Sequence, residues 1–295
     1  MLKRVLLACA IFALIGAAAP APDAAFPCVD DALDLHGDPA NADLVVFAGG
    51  NQWFAMPAIF AAFRHDHPEV RSVFYETLPP GLLAQQLESG ALQLDELQLH
   101  VLPDVFLAGR QRTLAERDAG FVGEPAVYAS NGLAILVRAG NPKHITSLAD
   151  LGRPDVRVAM PNPATEGIAR QIQLAYAKAG GDALVKTIMV TKKDAGTTML
   201  TSIHHRQTPM WLLNGRADAG PVWISEALYQ QRIESGLVAV AICDAQNVTG
   251  LYLGAVATRA PHAAAAKAFV AFLQTPAAQA IYRSYGFGPP GTSEE

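Results

Sequence analysis

The apolar pattern begins with Leu44–Phe47, a continuous hydrophobic run of strand length. Gly49 and Gly50 follow and predict a tight turn, and apolar residues at helical spacing then predict a helix from about Met56 to Arg64. Val70–Glu76 and Asp104–Leu107 start two similar strand–helix units. Three such units in a row predict a parallel sheet with helices on both faces.

A second α/β set follows, and the chain then returns to the first. Strands are predicted at Ser130–Val137, Val156–Met160, Ile188–Thr191, Ala217–Trp223 and Val238–Cys243, and a helix is predicted to begin within Thr197–Ile203. A strand at Leu251–Thr258 and two C-terminal helices complete the pattern. The fold class is therefore predicted to be α/β, with two Rossmann-like domains joined by a hinge and a ligand cleft between them. The expected domains are residues 44–129 plus 251–288 and residues 130–250, with crossovers near 128–132 and 248–251 and a flexible tail at 289–295.

The N-terminus has the features of an export signal. Lys3 and Arg4 precede an apolar run from Val5 to Ala19 that ends in three alanines, as expected for a cleaved signal peptide spanning residues 1–19. Residues 20–43 are then an N-terminal extension, and the mature protein is expected in the periplasm. In that oxidising compartment a disulfide between Cys28 and Cys243 is favoured over two unrelated thiols.

Charge and motifs narrow the function. The formal net charge is −5, and it becomes more negative when the two basic signal residues are removed, so a nucleic-acid partner is not expected. The chain carries no Gly-x-Ser-x-Gly, His-Glu-x-x-His, Cys-x-x-Cys or Walker motif. The sequence therefore predicts a binding protein without catalysis and without a cofactor.

Polar residues recur where the predicted strands end. Each could simply cap a helix, but their recurrence at one end of successive strands predicts a shared cleft. The Gly49–Asn51 loop is expected to form one wall of an anion-accepting site, because a helix start offers N–H groups and a partial positive charge. The candidate ligand-binding residues outside the histidine cluster are Gly50, Asn51, Gln52, Thr77, Asn131, Thr165, Thr198 and Trp223.

His204, His205 and Arg206 form the densest polar cluster of the chain. Three interpretations stay open for it. These side chains could donate to an anion or an organic ligand, or they could offset the dipole at a helix end before Pro209. The histidines could also bind a metal together with Glu166 or Glu76.

Several stretches resemble a known family, namely the type II periplasmic substrate-binding proteins of ABC importers, and most closely their molybdate-binding branch. The resemblance is carried by VVFAGG, PDVFLAG, SNGLAILVRAGNP, SLADLGRPDVRVAMPNPATEG, GRADAGPVWISEA and AKAFVAFLQTPAAQAIYRSYGFG. It implies hinge closure over a small ligand that neutral hydroxyls and backbone N–H groups hold.

Matched by position, the resemblance places Gly50, Asn51, Thr77, Thr165, Thr198 and Trp223 at the ligand. Asn51 stands where that branch usually has serine, and Trp223 stands where it has tyrosine. The expected function is a monomer that captures a molybdate-like oxyanion or a small organic acid and delivers it to an ABC permease. The alternative is a periplasmic metal-binding protein that uses His204, His205 and a glutamate.

Overall fold

The computed structural model describes residues 34–94, 97–202 and 207–291. The expected signal peptide, Cys28 and the cluster His204–Arg206 lie outside these residues. The strands are β1 Leu35–His36, β2 Leu44–Ala48, β3 Val73–Glu76, β4 Leu92–Leu94, β5 Leu97–Leu99, β6 Val105–Gly109, β7 Ala126–Asn131, β8 Leu133–Arg138, β9 Val158–Met160, β10 Thr198–Leu200, β11 Ala219–Trp223, β12 Leu237–Ala241 and β13 Gly250–Val256.

The helices alternate with these strands, as a parallel sheet requires. They are α1 Met56–Asp66, α2 Pro80–Ser89, α3 Arg110–Asp118, α4 Ile168–Lys186, α5 Lys192–Asp194, α6 Gln207–Leu213, α7 Ile224–Arg232, α8 Ala263–Phe272 and α9 Pro276–Ser284. Within the described ranges, none of them has the length and apolarity to cross a membrane.

The first sheet has the strand order β1-β3-β2-β6-β13-β7. Its centre is parallel, because β2 pairs in parallel with both β3 and β6. Strand β13 then adds antiparallel to β6 and β7. Every residue of β2 is buried, which explains its uninterrupted apolar sequence. At the outer edge, β1 pairs with β3, so residues 35–36 of the expected N-terminal extension belong to this sheet.

The second sheet has the order β10-β9-β11-β8-β12. Strands β10, β9 and β11 are parallel, and β8 runs antiparallel to both β11 and β12. The carboxyl ends of its parallel strands, like those of the first sheet, lead into the loops that form the functional site described below.

The chain passes between the sheets at Gly132 and again between β12 and β13. The prediction of one strand over Ser130–Val137 is wrong, because Gly132 separates β7 in the first sheet from β8 in the second. Its carbonyl accepts a hydrogen bond from Ile224 N, and a Cβ at this position would lie 2.9 Å from the Ile224 side chain. We propose that the protein has two lobes that hinge at these crossings. The first lobe is built on the first sheet, close to residues 44–129 plus 251–288, and the second lobe is built on the second sheet, close to residues 130–250.

Two other predicted elements are also wrong. The stretch 188–191 was predicted to be a strand, but it is helical and continues α4 through a wide turn at Thr187–Thr191. Conversely, Thr198–Leu200 is a strand rather than a helix start, since it pairs in parallel with Val158–Met160. The β-branched residues of the first stretch favour a strand, and Thr197 can cap a helix start, but tertiary packing overrode both local preferences.

Candidate functional site

A cavity of about 730 Å³ lies between the two lobes. Its walls combine the loops after parallel strands of both sheets with one face of α4. The first lobe contributes Gly49, Gly50, Asn51, Pro80, Gly81, Gly109, Gln111, Arg112, Ala115, Gly250, Leu251 and Tyr252, and the second contributes Pro163, Ala164, Thr165, Glu166, Gly167, Ile168, Arg170, Gln171, Gln173, Leu174, Ala177, Asp182, Val185 and Trp223.

Four helices begin at this cavity. Pro80 and Gly81 open α2, Gly109 precedes α3, Gly167 precedes α4 and Trp223 precedes α7, and all five residues line the wall. The N-terminus of a helix carries a partial positive charge, although the first amides of α2 and α7 already donate to groups of the protein. Both lobes therefore direct the positive ends of helices at one space, which favours a negatively charged guest.

Gly50, Asn51, Thr165 and Trp223 are candidates from the sequence that the structure brings together around this cavity. The Asn51 side-chain amide donates to the Tyr252 hydroxyl over 2.6 Å. The Trp223 ring packs edge-on against the Tyr252 ring, with 5.8 Å between their centroids. Asn51 and Trp223 are thus fixed by the same tyrosine, one from each lobe.

The Gly49–Asn51 loop forms a wall of the cavity, but its first two amides are already used. Gly49 N donates to Leu107 O over 2.8 Å, and Gly50 N donates to Leu78 O over 3.0 Å. An amide that already donates to a protein carbonyl is not available to replace the hydration of an anion. These two N–H groups are therefore engaged within the protein, and the ligand role of the loop stays a prediction that rests on its other groups.

The other candidates described in the structure do not line this cavity. Gln52 is fully buried and its side-chain oxygen accepts from the hydroxyls of Tyr128 and Tyr282, at 2.6 and 3.0 Å. Its amide group therefore organises the core of the first lobe. Sequence reasoning misplaced it because both tyrosines are distant in the chain.

Thr77, Thr198 and Asn131 are also buried. Thr198 begins β10, at the end of the strand opposite the cavity, and Thr201 instead follows the carboxyl end. Asn131 donates to the Ser225 hydroxyl over 2.7 Å and so ties the first crossing to α7. Asn131 therefore lies at the expected hinge. None of these three side chains lines the cavity, so their expected ligand contacts stay predictions.

The histidine cluster stays a prediction, because His204, His205 and Arg206 lie outside the described residues. Of the proposed metal set, Glu166 accepts hydrogen bonds from the Thr201 hydroxyl and from Asn162 N. Within residues 34–94, 97–202 and 207–291 no three metal-ligating side chains come together. The predicted disulfide also stays untested: Cys243 is exposed, and Cys28 is not described.

The structure adds two arginines that sequence reasoning did not select. Arg112 on α3 and Arg170 on α4 line the cavity from opposite lobes. The Arg112 side chain is 43% exposed, and its guanidinium donates to the buried Glu116 carboxylate over 3.3 Å. Burial raises the pKa of Glu116. The available signal was their position in the first turn of helices that follow strands β6 and β9.

Glu76 illustrates how a strand-end residue can face away from the cleft. Its carboxyl group is completely buried and accepts a hydrogen bond from the Gln86 side chain of α2 over 2.9 Å. Burial raises its pKa from 4.5 to about 8, although the bond from Gln86 acts in the opposite direction. The glutamate is thus a neutral core group at neutral pH rather than an exposed charge near the ligand.

Two α/β lobes with a ligand-sized cavity between their strand ends define a two-lobed binding protein. Residues 44–288 match the family model described as bacterial extracellular solute-binding protein. The molybdate-binding protein ModA of Mycobacterium tuberculosis is 28% identical over 251 residues, which cover 84% of this chain and 85% of the relative.

Solved structures share the fold. The sulfate-binding protein SubI from Mycobacterium tuberculosis has a TM-score of 0.69 at 23% identity, covering 84% of this chain and 86% of SubI. The periplasmic molybdate-binding protein of Azotobacter vinelandii has a TM-score of 0.65 at 16% identity. The match covers 84% of this chain and 100% of the Azotobacter vinelandii chain.

The chain belongs to the bacterial extracellular solute-binding protein family. The predicted type II periplasmic binding protein fold and the resemblance to the molybdate-binding branch are both confirmed. As a member of this family the protein is a binding component of transport and not an enzyme.

Proposed function

We propose that this protein is exported and captures a small anion, either a molybdate-like oxyanion or a small organic acid, for delivery to an ABC permease of the inner membrane. The single observation that carries the proposal is the convergence of four helix starts from two lobes on one cavity. A buried anion needs hydrogen bonds and favourable dipoles to replace its hydration. All four helix starts supply dipoles, but the first amides of α2 and α7 already donate within the protein, so the hydrogen bonds would come from the starts of α3 and α4 and from side chains.

Side chains complete the proposed site. The Thr165 hydroxyl makes no hydrogen bond within the described part of the chain, and it lines the cavity. Arg112 and Arg170 supply positive charge from the two lobes. The relatives named for molybdate and sulfate support an anion as the ligand.

Closure over the ligand would proceed at the two crossings. The first lobe already contacts the second where Gly81 N donates to Thr165 O over 3.4 Å. An anion that binds groups of both lobes would favour this closed arrangement, because its affinity for the closed form exceeds that for the open form.

The test is isothermal titration calorimetry of the mature protein with molybdate, sulfate, phosphate, acetate and malonate, supported by thermal-shift measurements. A true ligand at one hundred times its dissociation constant stabilises the folded state by about 2.7 kcal/mol. Failure of all anions to bind would refute the proposed function.

Two threonine variants provide a matched pair. Thr165→Val removes a hydroxyl from the cavity wall and is expected to weaken anion binding by about tenfold, on the order of one hydrogen bond. Thr198→Val removes a hydroxyl that the structure buries away from the cavity, so the dissociation constant should stay within about twofold of the wild type. The opposite ranking would restore the ligand role that the sequence assigned to Thr198.

A further inference from the structure

The cavity continues well past the helix starts, along the side of α4 that faces away from the protein core. Gln173, Leu174 and Ala177 line it, whereas Ile172 and Tyr176 point into the core. At about 1.5 Å per residue, the nine steps from Ile168 to Ala177 give the cavity a length of roughly 14 Å along the helix.

This space is too large for a bare tetrahedral ion. Four oxygen atoms occupy at most roughly four water volumes, or about 120 Å³ at ~30 Å³ each. The cavity of about 730 Å³ exceeds that bound roughly sixfold and falls within the range of pockets that hold organic molecules.

The volume is present although the two lobes already touch. Gly81 N donates to Thr165 O across the cleft, and a Cβ at Gly81 would lie only 3.2 Å from that oxygen. Elsewhere along the lobe boundary the Trp53 ring packs against Tyr229 of α7 with a centroid separation of 4.9 Å. The cavity therefore coexists with direct contacts between the two lobes.

The two ends of the cavity differ in chemistry. The inner end has the four helix starts and the Thr165 hydroxyl. The outer part has the apolar groups Ala115, Leu174, Ala177 and Val185, and its polar groups are Arg112, Gln173 and Asp182. Glu116 accepts a hydrogen bond from the guanidinium of Arg112. The guanidinium can pack against the carbon body of a ligand or pair with a second negative charge on it.

We propose that the ligand is an organic anion, with an oxyanionic head at the helix starts and a carbon body between α3 and α4. This inference rests on the proposed function and specifies its substrate class. A guest with this shape would remove Leu174 and Ala177 from water, and that burial would add affinity which a bare oxyanion cannot gain.

The experiment compares bare ions with two series of graded organic anions on the mature protein. Calorimetry is carried out with molybdate and sulfate, with alkyl sulfonates from methanesulfonate to hexanesulfonate, and with carboxylates from acetate to hexanoate. In at least one series the affinity is expected to rise about fourfold per added methylene, as burial of one such group implies. The rise should stop when the body fills the outer part of the cavity.

A variant locates the effect. Leu174 lies on the half-buried side of α4. The variant Leu174→Asn is expected to weaken binding of the longest ligand about tenfold and to change binding of the shortest ligand less than threefold. Leu213→Asn is the control, because Leu213 is exposed and does not line the cavity. Its titrations should follow the wild type throughout.

The outcomes separate the two proposals. Two results would overturn the inference and leave the proposed function standing. In the first, the affinities in both series stay flat or fall as the carbon body lengthens. In the second, molybdate or sulfate binds more tightly than every organic anion. An equal effect of Leu174→Asn on short and long ligands would also overturn it. Absence of binding by all of the anions would overturn both.

Discussion

Replacing Glu76 by glutamine is expected to make the protein more stable at alkaline pH. The wild-type carboxyl group is fully buried, and its pKa in the folded protein is raised from 4.5 to about 8. In the unfolded chain water surrounds it and its ordinary pKa applies. The folded state therefore retains a proton that the unfolded state releases between these two values.

The sign follows from this difference in bound protons. Because the folded-state pKa is the higher one, the favourable contribution of the protonated group is complete below pH 4.5 and is lost as the pH rises towards 8. Each pH unit within the window costs about 1.4 kcal/mol. Between pH 5 and pH 8 the wild type should lose roughly 3 kcal/mol through this group alone, whereas glutamine stays neutral and loses none.

Urea unfolding at pH 5, 6, 7 and 8 measures this effect. The free energy of unfolding of Glu76→Gln relative to the wild type should rise by roughly 3 kcal/mol across the series, whatever its value at pH 5. Glu69→Gln is the control. Hydrogen bonds from its own backbone and from His67 lower the pKa of the exposed Glu69 carboxylate, so the stability linked to it changes only below about pH 4.5 and its difference from the wild type should stay constant from pH 5 to pH 8. A constant difference between Glu76→Gln and wild type at all four pH values would refute the reasoning.

Three further substitutions test the site. Asn51→Asp places a negative charge beside the bound anion, and at ~5 Å with an effective dielectric constant of about 20 the repulsion is about 3 kcal/mol. Calorimetry should therefore show at least a hundredfold loss of affinity. A loss of less than tenfold would place the anion elsewhere. Gln52→Leu leaves two buried tyrosine hydroxyls without their acceptor and should lower the free energy of unfolding by about 2 kcal/mol. A loss of anion affinity without a loss of stability would instead show that Gln52 contacts the ligand. Gly81→Ala places a methyl group 3.2 Å from Thr165 O and should weaken anion binding several-fold. Gly123→Ala is the control and should not, because Gly123 does not line the cavity and a Cβ there would lie an ordinary 3.7 Å from Val256 O. Equal affinities of the two variants would mean that the lobes do not meet at Gly81.

The sequence determined much of the local architecture. The apolar run at Leu44–Phe47 specified a strand because only a strand buried on both faces accommodates such a run, and β2 spans it. Gly49, Gly50 and Pro57 likewise specified the turn and the helix start. The α/β class was also correct, and β13 at Gly250–Val256 lies in the first sheet close to the strand predicted at Leu251–Thr258, since these features depend on the order of short patterns.

Tertiary structure decided which groups meet. Gly132 divides one apolar stretch between two sheets, a division that depends on pairing partners far away in the chain. Asn51 finds Tyr252 at a separation of 201 residues, and Gln52 finds Tyr282 at 230 residues. The two neighbours therefore serve different parts of the protein, one at the cavity and one in the core. Local sequence cannot encode that difference, because a hydrogen bond depends on the position of both partners.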